Sequence, residues 1–156
     1  MRRSLREGPK LRGEIELVVY DRFGRVVDRR VIKNVITDVG KAQVAGLING
    51  VVTTPFKYIA IGTSGNTFSA SDTALHNETH REQADTIDRV TTSVTNDTAR
   101  LVKTFSGYTG TEGINESGVF DATSGGNMLC AQSFAVVNVD WDAGDSLQIT
   151  WKIQVS

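Results

Sequence analysis

The two histidines of the chain, His76 and His80, stand four residues apart in the stretch "HNETH", with Glu78 between them. The zinc site of many metalloproteases also has two histidines at this spacing, on an apolar helix and with a glutamate directly after the first. Here Glu78 does not follow His76 directly, and the flanking residues are polar and typical of a loop. We therefore predict that the stretch is hydrated surface without a metal.

Three other stretches resemble sites of known chemistry only in part. The loop "GTSGNTFS" has the glycines of a phosphate-binding loop but lacks its Lys-Ser/Thr ending. Asp140, Asp142 and Asp145 lack the twelve-residue register and closing glutamate of a calcium loop, so a tight turn with Gly144 is predicted. A Ser-His-Asp triad has no G-x-S-x-G segment to expose its nucleophile. The sequence thus predicts no catalytic residue, cofactor or metal.

The composition indicates a single domain outside the membrane. A chain of 156 residues can bury one sizeable core, and no apolar run approaches the roughly 18 residues of a membrane span. The only cysteine, Cys130, lies in the apolar run "MLCAQSFAVV" and cannot form an intramolecular disulfide. We predict that Cys130 is a buried apolar residue and not a reactive thiol.

The charges are unevenly distributed along the chain. Residues 1–33 contain ten Lys and Arg against five Asp and Glu, whereas the remainder contains seven against thirteen. The first residues, "MRRSLREGPKLRG", include Gly8-Pro9, which interrupts any helix. We predict an extended basic N-terminal arm over residues 1–13, followed by one domain over residues 14–156. Three roles for this arm stay open: an unbound tail, an arm on a neighbouring subunit, or a nucleic-acid contact, which the lack of interleaved aromatic residues disfavours.

Alternation of apolar and polar residues predicts about eight β-strands. Ile15, Leu17 and Val19 share one face of the first strand, and Gly24 follows in a turn that allows a positive φ. The last strand is the clearest amphipathic one. Its apolar face consists of Leu147, Ile149, Trp151, Ile153 and Val155, and its polar face of Gln148, Thr150, Lys152 and Gln154.

A single helix is predicted over "TDVGKAQVAGLING", with Thr37 or Asp38 as its N-cap and Gly50 at its end. Because strands dominate and no β-α-β alternation occurs, we predict a mainly β fold. The expected architecture is an antiparallel β-sandwich or β-tulip, jelly-roll-like, with one short helix and the extended N-terminal arm.

Four stretches in residues 33–156 carry a resemblance to a known group of proteins. They are "KNVITDVGKAQVAGLING", "YIAIGTSGNTFSASDTALHNE", "INESGVFDATSGGNMLCAQSF" and "DSLQITWKIQV". In this order they resemble virion structural proteins of tailed bacteriophages, most closely small capsid decoration (cement) proteins, with related patterns in the N-terminal modules of tail fibres. Ser117 departs from the residue found in some relatives. We expect the second stretch to form a shaped loop in which Ala74 and Leu75 fill an apolar gap.

The resemblance implies a non-enzymatic decoration protein on the outer capsid surface of a virion, bound to the major capsid protein as a homotrimer. It implies no cofactor, membrane contact or direct nucleic-acid contact. The alternative is a tail-fibre, tail-tip or baseplate module. Arginines and lysines would contact an acidic capsid surface, with leucines as small anchors. The residues assigned to partner binding are Arg2, Arg3, Leu5, Arg6, Lys10, Leu11 and Arg12.

Overall fold

The computed structural model describes residues 10–156, which form two five-stranded antiparallel sheets and one helix. The strands are β1 Leu11–Tyr20, β2 Val26–Lys33, β3 Val35–Ile36, β4 Tyr58–Gly62, β5 Glu78–Gln83, β6 Thr86–Val90, β7 Thr98–Phe105, β8 Thr111–Phe120, β9 Met128–Asp140 and β10 Ser146–Val155, and helix α1 is Asp38–Asn49. Sheet A has the order β2-β1-β10-β7-β6, and sheet B the order β3-β9-β8-β4-β5. The predicted mainly β antiparallel sandwich with one short helix is confirmed.

The main core lies between the two sheets and follows the predicted alternation. Ile15, Leu17 and Val19 of β1 are almost completely buried, and Trp151 of β10 is fully buried. Val155, at the end of the predicted apolar face of β10, is instead 59% exposed. The two five-stranded sheets thus enclose one shared apolar layer. This layer is open to solvent at the end of the sandwich where β1 begins and β10 ends.

A second, smaller core lies on the other face of sheet B, beneath the loop of residues 63–77. Leu75 and Phe68 of this loop pack on Ala60, Phe120, Met128 and Ala131. Burial of Leu75 confirms the predicted filling of an apolar gap. Ala74 is exposed, so its predicted part in that gap was wrong. Neighbouring side chains of this non-helical segment diverge, and only one of the two faces the sheet.

Helix α1 begins and ends at the predicted residues. Thr37 is the N-cap, its Oγ1 accepts a hydrogen bond from the Gly40 amide at 2.9 Å, and Gly50 has a φ of 80° at the C-cap. Thr37 Oγ1 also donates to the carbonyl oxygen of Met128 in β9. These contacts attach the start of the helix to the edge of sheet B.

Gly40 allows helix α1 to pack closely against β9, and replacing it should lower the stability of the protein. A Cβ atom at residue 40 would lie 2.5 Å from the Leu129 carbonyl oxygen and 2.8 Å from Leu129 Cα, both backbone atoms of β9. We expect Gly40→Ala to destabilise the protein by about 1–3 kcal/mol through overpacking, although alanine favours helix formation. Chemical denaturation measures the change.

Gly46→Ala is the comparison in the same helix: its Cβ would lie 2.4 and 2.9 Å from side-chain atoms of Val52 and no nearer than 3.3 Å to the Val52 backbone, so Val52 must shift but no backbone atom overlaps. We expect a smaller destabilisation than for Gly40→Ala, because the helix propensity of alanine offsets part of this shift. Equal destabilisation by both substitutions would contradict the packing role of Gly40.

Residues 76–79 of "HNETH" are exposed, as predicted, but His80 is half-buried and the last three residues belong to a strand and not to a loop. Glu78 begins β5, an edge strand that pairs with β4 along its whole length. Its side chains are polar on both faces, so no apolar alternation marks it. On one face, the Arg81 guanidinium carbon lies 3.6 Å from the Phe120 ring centroid, and Arg81 Nη1 donates to the carbonyl oxygens of Ala122 and Gly125 at 3.0 and 2.8 Å. Pairing of polar groups therefore stabilises this strand in place of apolar burial.

Other boundaries also differ from the prediction. Strand β8 begins at Thr111, seven residues before the predicted start at Gly118, and residues 10–156 contain ten strands where about eight were expected. The hairpin of β6 and β7 and the pair of β8 and β9 are confirmed. No helix among residues 10–156 has the length and apolar character needed to cross a membrane.

Candidate partner-binding site

The two ends of the described chain meet at one end of the sandwich, which we call the base. The Lys10 amide donates to the Ser156 carbonyl oxygen at 2.6 Å, and the Ser156 amide donates to the Lys10 carbonyl oxygen at 2.9 Å. Leu11 lies directly opposite Val155 in sheet A. The described chain therefore begins and ends at the base.

This geometry corrects the predicted boundary of the arm. Leu11, Arg12 and Gly13 belong to β1 and pair with β10, because the end of β10 offers backbone hydrogen bonds to this polar segment. Leu11 packs against the main core, and Arg12 is exposed. The other predicted partner-binding residues, Arg2, Arg3, Leu5 and Arg6, lie outside the described residues.

A polar cleft of about 690 Å³ lies beside the start of β1. Its charged lining residues are Arg12, Glu14, Lys33 and Lys152. Glu14 lies directly opposite Lys33 of β2 on one side and Lys152 of β10 on the other. Three cations thus surround one carboxylate, and none of the three forms an ion pair with another residue of the described chain.

An apolar groove of about 350 Å³ lies on the other side of Leu11. Its lining includes Leu11, Val44, Leu47, Phe56, Ile153 and Val155, from α1, the segment after it, and the ends of β1 and β10. Next to this groove in the chain, Ile48 and Val51 are 82% and 81% exposed. The base therefore combines a cationic cleft, an apolar groove and Lys10, the first residue that the structure describes.

A buried carboxylate anchors the loop of residues 63–77, which contains most of the second motif of the resemblance. Glu116 of β8 is fully buried. Its Oε1 accepts a hydrogen bond from the His76 amide at 2.8 Å, and its Oε2 accepts from the amides of Asn77 and Ser64 at 2.7 and 3.3 Å. A side chain at Gly62 would overlap this carboxylate. The loop is thus a shaped connection held at both ends by one side chain.

His80 belongs to a polar cluster between the sheets at the β5 edge. Its Nε2 is hydrogen-bonded to Glu112, and its ring stacks on Tyr108 with 3.7 Å between ring centroids. Trp141 Nε1 donates to Glu112 Oε1 at 2.9 Å, and the Tyr108 hydroxyl donates to Glu82. Trp141 meets the rings of His80 and Tyr108 edge-on, so the cluster joins β5 to β8 and to the turn after β9.

The Glu112 carboxyl has a pKa below its ordinary value. Burial raises this pKa, but hydrogen bonds from His80, Trp141 and Thr79 outweigh the effect of burial. Because the unfolded chain binds the proton more readily, Glu112 contributes stability above the unfolded-state pKa near 4.5, and this contribution disappears as the pH falls through the lower folded-state pKa.

We therefore expect Glu112→Gln to flatten the pH dependence of stability. The free energy of unfolding of the unmodified protein should decrease more steeply between pH 6 and pH 3 than that of the variant. Urea titrations at a series of pH values measure both slopes. Parallel curves for the two proteins would contradict the assignment.

The other residues that the sequence offered for catalysis or metal binding pack against neighbouring side chains or form hydrogen bonds within a turn. The His76 ring packs on Phe68 with 4.4 Å between centroids. Asp140 and Asp145 hydrogen-bond within the tight turn that contains Gly144, as predicted. Cys130 is fully buried, as predicted, and burial raises its pKa. In the part of the chain that the structure describes, no group of three or more His, Cys, Asp or Glu side chains could hold a metal.

Sequence reasoning missed the roles of Glu116, Lys33 and Lys152. Glu116 had one available signal, since it is an acidic residue next to Ser117 and Gly118 in a segment that otherwise enters the core. Lys152 was correctly placed on the polar face of the last strand. Nothing in the sequence indicated that Lys33 and Lys152 would flank Glu14, because that arrangement depends on the order of strands in sheet A.

The fold and the base define a β-sandwich domain with a cationic cleft and an apolar groove at one end. No protein-family model matches this sequence, and neither curated proteins nor solved structures show a match.

Proposed function

We propose that this chain is a non-enzymatic structural protein of a tailed-bacteriophage virion, a decoration protein that binds the major capsid protein on the outer capsid surface and stabilises the capsid. The observation that carries the proposal is the base. The described chain begins there at Lys10, and the base has a cleft with three cations that form no ion pair within residues 10–156, next to an apolar groove. Complementary charge and a small apolar anchor are the usual means by which one protein surface recognises another.

The arrangement of the motifs supports the resemblance at the level of the fold. Gly62 and Leu75 come from the second motif, and Glu116, Gly118 and Phe120 come from the third. Glu116 binds the ends of the loop, while Leu75 packs on Phe120. A Cβ atom at Gly118 would lie 3.1 Å from Leu75 Cδ2, so Gly118 permits this packing. Proteins that share this loop anchor would share the two motifs in the same order.

The mechanism that we propose is mechanical clamping by several weak contacts. Arg2, Arg3 and Arg6 bind acidic groups of a neighbouring capsid subunit, and Leu5 enters a small apolar gap there. In a homotrimer, three such segments act together, and linking them raises the overall affinity by a factor of roughly 10² to 10⁴ over one segment alone. Lys10 and Leu11 fix the origin of each segment at the base.

Deletion of residues 2–9 tests this mechanism without removing any residue of β1. We expect the shortened protein to fold with an unchanged melting temperature and to bind capsids at least tenfold more weakly, because the cations of the segment are lost. Co-sedimentation with particles that lack the protein measures the affinity. The double variant Lys41→Gln/Lys57→Gln, which changes two cations outside the cleft, serves as the control and should bind normally. Unchanged binding of the shortened protein would remove the segment from the mechanism.

The location on the particle is tested separately. Gold-labelled antibodies against the purified protein should bind over the whole capsid surface in electron micrographs of intact phage. Label on the tail alone would exclude decoration and favour the alternative of a tail-fibre, tail-tip or baseplate module. Absence of label from all particles would contradict a virion role.

A further inference from the structure

We propose that the cationic cleft binds an extended acidic peptide segment of the partner, with Lys33 and Lys152 as carboxylate-binding residues in addition to Arg12. The inference deepens the proposed function, on which it rests for the identity of the partner, by naming the chemistry that the partner presents.

The first step is the spacing of the cations. Lys33, Glu14 and Lys152 lie side by side across β2, β1 and β10. Because neighbouring strands are about 4.8 Å apart, the α-carbons of the two lysines are separated by roughly 10 Å. In a peptide with the extended polyproline II conformation, which has three residues per turn, side chains three residues apart face the same way and lie about 9 Å apart. Two carboxylates with that separation can therefore each meet one lysine.

The second step is that these cations are available. On the same outer face of sheet A, Arg29 is paired with Glu16 and Arg100 with Asp88. Among residues 10–156, Arg12, Lys33 and Lys152 have no such partner. The cleft therefore keeps a net positive charge, whereas Arg29 and Arg100 on the same face are paired with carboxylates.

The third step is the rigidity of the cleft wall. Gln154 Nε2 donates to Asp97 Oδ2 at 3.1 Å, and the hydroxyls of Thr98 and Thr92 are 2.6 Å apart. The Asp97 carboxylate in turn accepts hydrogen bonds from three amides of the adjacent turn. A wall already ordered in this way loses little conformational entropy when a peptide binds.

The chemistry of the cleft favours a peptide over a nucleic acid. Among residues 10–156, no aromatic side chain lines the cleft, so bases find no described ring to stack on. Glu14 lies between the two lysines, where it can accept a hydrogen bond from a peptide amide, a donor that a phosphodiester backbone lacks. A segment with spaced carboxylates and free backbone amides satisfies both the lysines and Glu14.

The test uses the full chain and a fluorescein-labelled peptide of eight glutamates, with binding followed by fluorescence anisotropy. We expect Lys33→Gln/Lys152→Gln to weaken binding about tenfold. Lys41→Gln/Lys57→Gln, with two lysines outside the cleft, should change binding less than twofold. Glu14→Gln should strengthen binding of this probe, because it removes a repulsive carboxylate from the centre of the cleft. The peptide of eight glutamines should not bind.

Binding by the N-terminal arginines is distinguished by Arg2→Gln/Arg3→Gln/Arg6→Gln in the full chain. If that variant loses all binding while the Lys33 and Lys152 variant loses none, the cleft is not the peptide site. Tighter binding of an eight-nucleotide thymidine strand than of the glutamate peptide would also overturn the inference, in favour of nucleic acid. These measurements contain no capsid, so they can succeed even if the decoration proposal is wrong. If the cleft does not bind the peptide, the capsid-binding experiments still test decoration by themselves.

Discussion

Replacement of Glu116 with alanine is expected to lower the free energy of unfolding by about 3–5 kcal/mol, among the largest effects of any single substitution in this chain. The Glu116 carboxylate is fully buried and accepts hydrogen bonds from the amides of Ser64, His76 and Asn77. Alanine would remove the charged acceptor of these three partly buried hydrogen bonds, and a hydrogen bond to a charged group contributes about 1.5–3 kcal/mol. For a chain of this size the melting temperature should fall by roughly 10 °C.

Two readouts separate loss of the loop anchor from general destabilisation. Urea denaturation measures the global change, and hydrogen exchange should show the amides of residues 63–77 losing protection before those of β1 and β10. Glu14→Ala removes an exposed carboxylate that forms no ion pair in the described chain, so it should change stability by less than about 0.5 kcal/mol. A Glu116→Ala protein as stable as the Glu14→Ala control would show that the carboxylate does not anchor the loop.

The second large effect is expected at Trp151, whose truncation to alanine should destabilise the protein by about 3–5 kcal/mol through loss of buried apolar surface and creation of a cavity. Trp151 is the largest fully buried side chain in the described residues. It extends from sheet A toward sheet B, where its Nε1 donates to Ser117 Oγ at 3.1 Å. Ser117 Oγ then donates to the Ala60 carbonyl oxygen at 2.8 Å. The contact therefore joins β10 to β8 and β4.

A double-mutant cycle with Trp151→Phe and Ser117→Ala isolates the hydrogen bond between the sheets. We expect a coupling energy of about 1 kcal/mol from urea denaturation of the four proteins. Additive effects of the two substitutions would indicate that packing alone, and not this hydrogen bond, connects the sheets through Trp151.

Glu116 and Ser117 are polar residues of the third motif that lie within β8, a strand of the buried core. In sequence, "NES" reads as a polar segment before the apolar "GVF". In the structure, both polar side chains are fully buried because each has partners from distant segments. Buried polar groups are stable only when hydrogen-bonded, so these residues depend on the whole sandwich being formed.

Local patterns were sufficient to predict the elements whose stability depends on near neighbours. Alternation identified the buried faces of β1 and of most of β10, because successive residues of a strand point to opposite sides. Thr37 and Gly50 marked the ends of α1, since a capping side chain and a left-handed residue act within one helical turn. The mainly β antiparallel class followed from these elements together.

Strand β5 and the start of β1 could not be predicted in the same way. Polar groups of β8 and of the turn after it pair with the two faces of β5, and β1 extends to Leu11 because β10 supplies backbone partners there. Neither set of partners is visible in the local sequence.

By itself, the sequence determined that this protein is an antiparallel β domain with one capped helix, a buried cysteine and an excess of cations at its N-terminus. Only the tertiary structure decided where those cations lie relative to other groups. The order β2-β1-β10 brings Lys33, Glu14 and Lys152 side by side, and the pairing of β8 with β4 brings Glu116 to the loop. The physical reason is that strand pairing joins residues far apart in the chain, whereas alternation and capping act only between near neighbours.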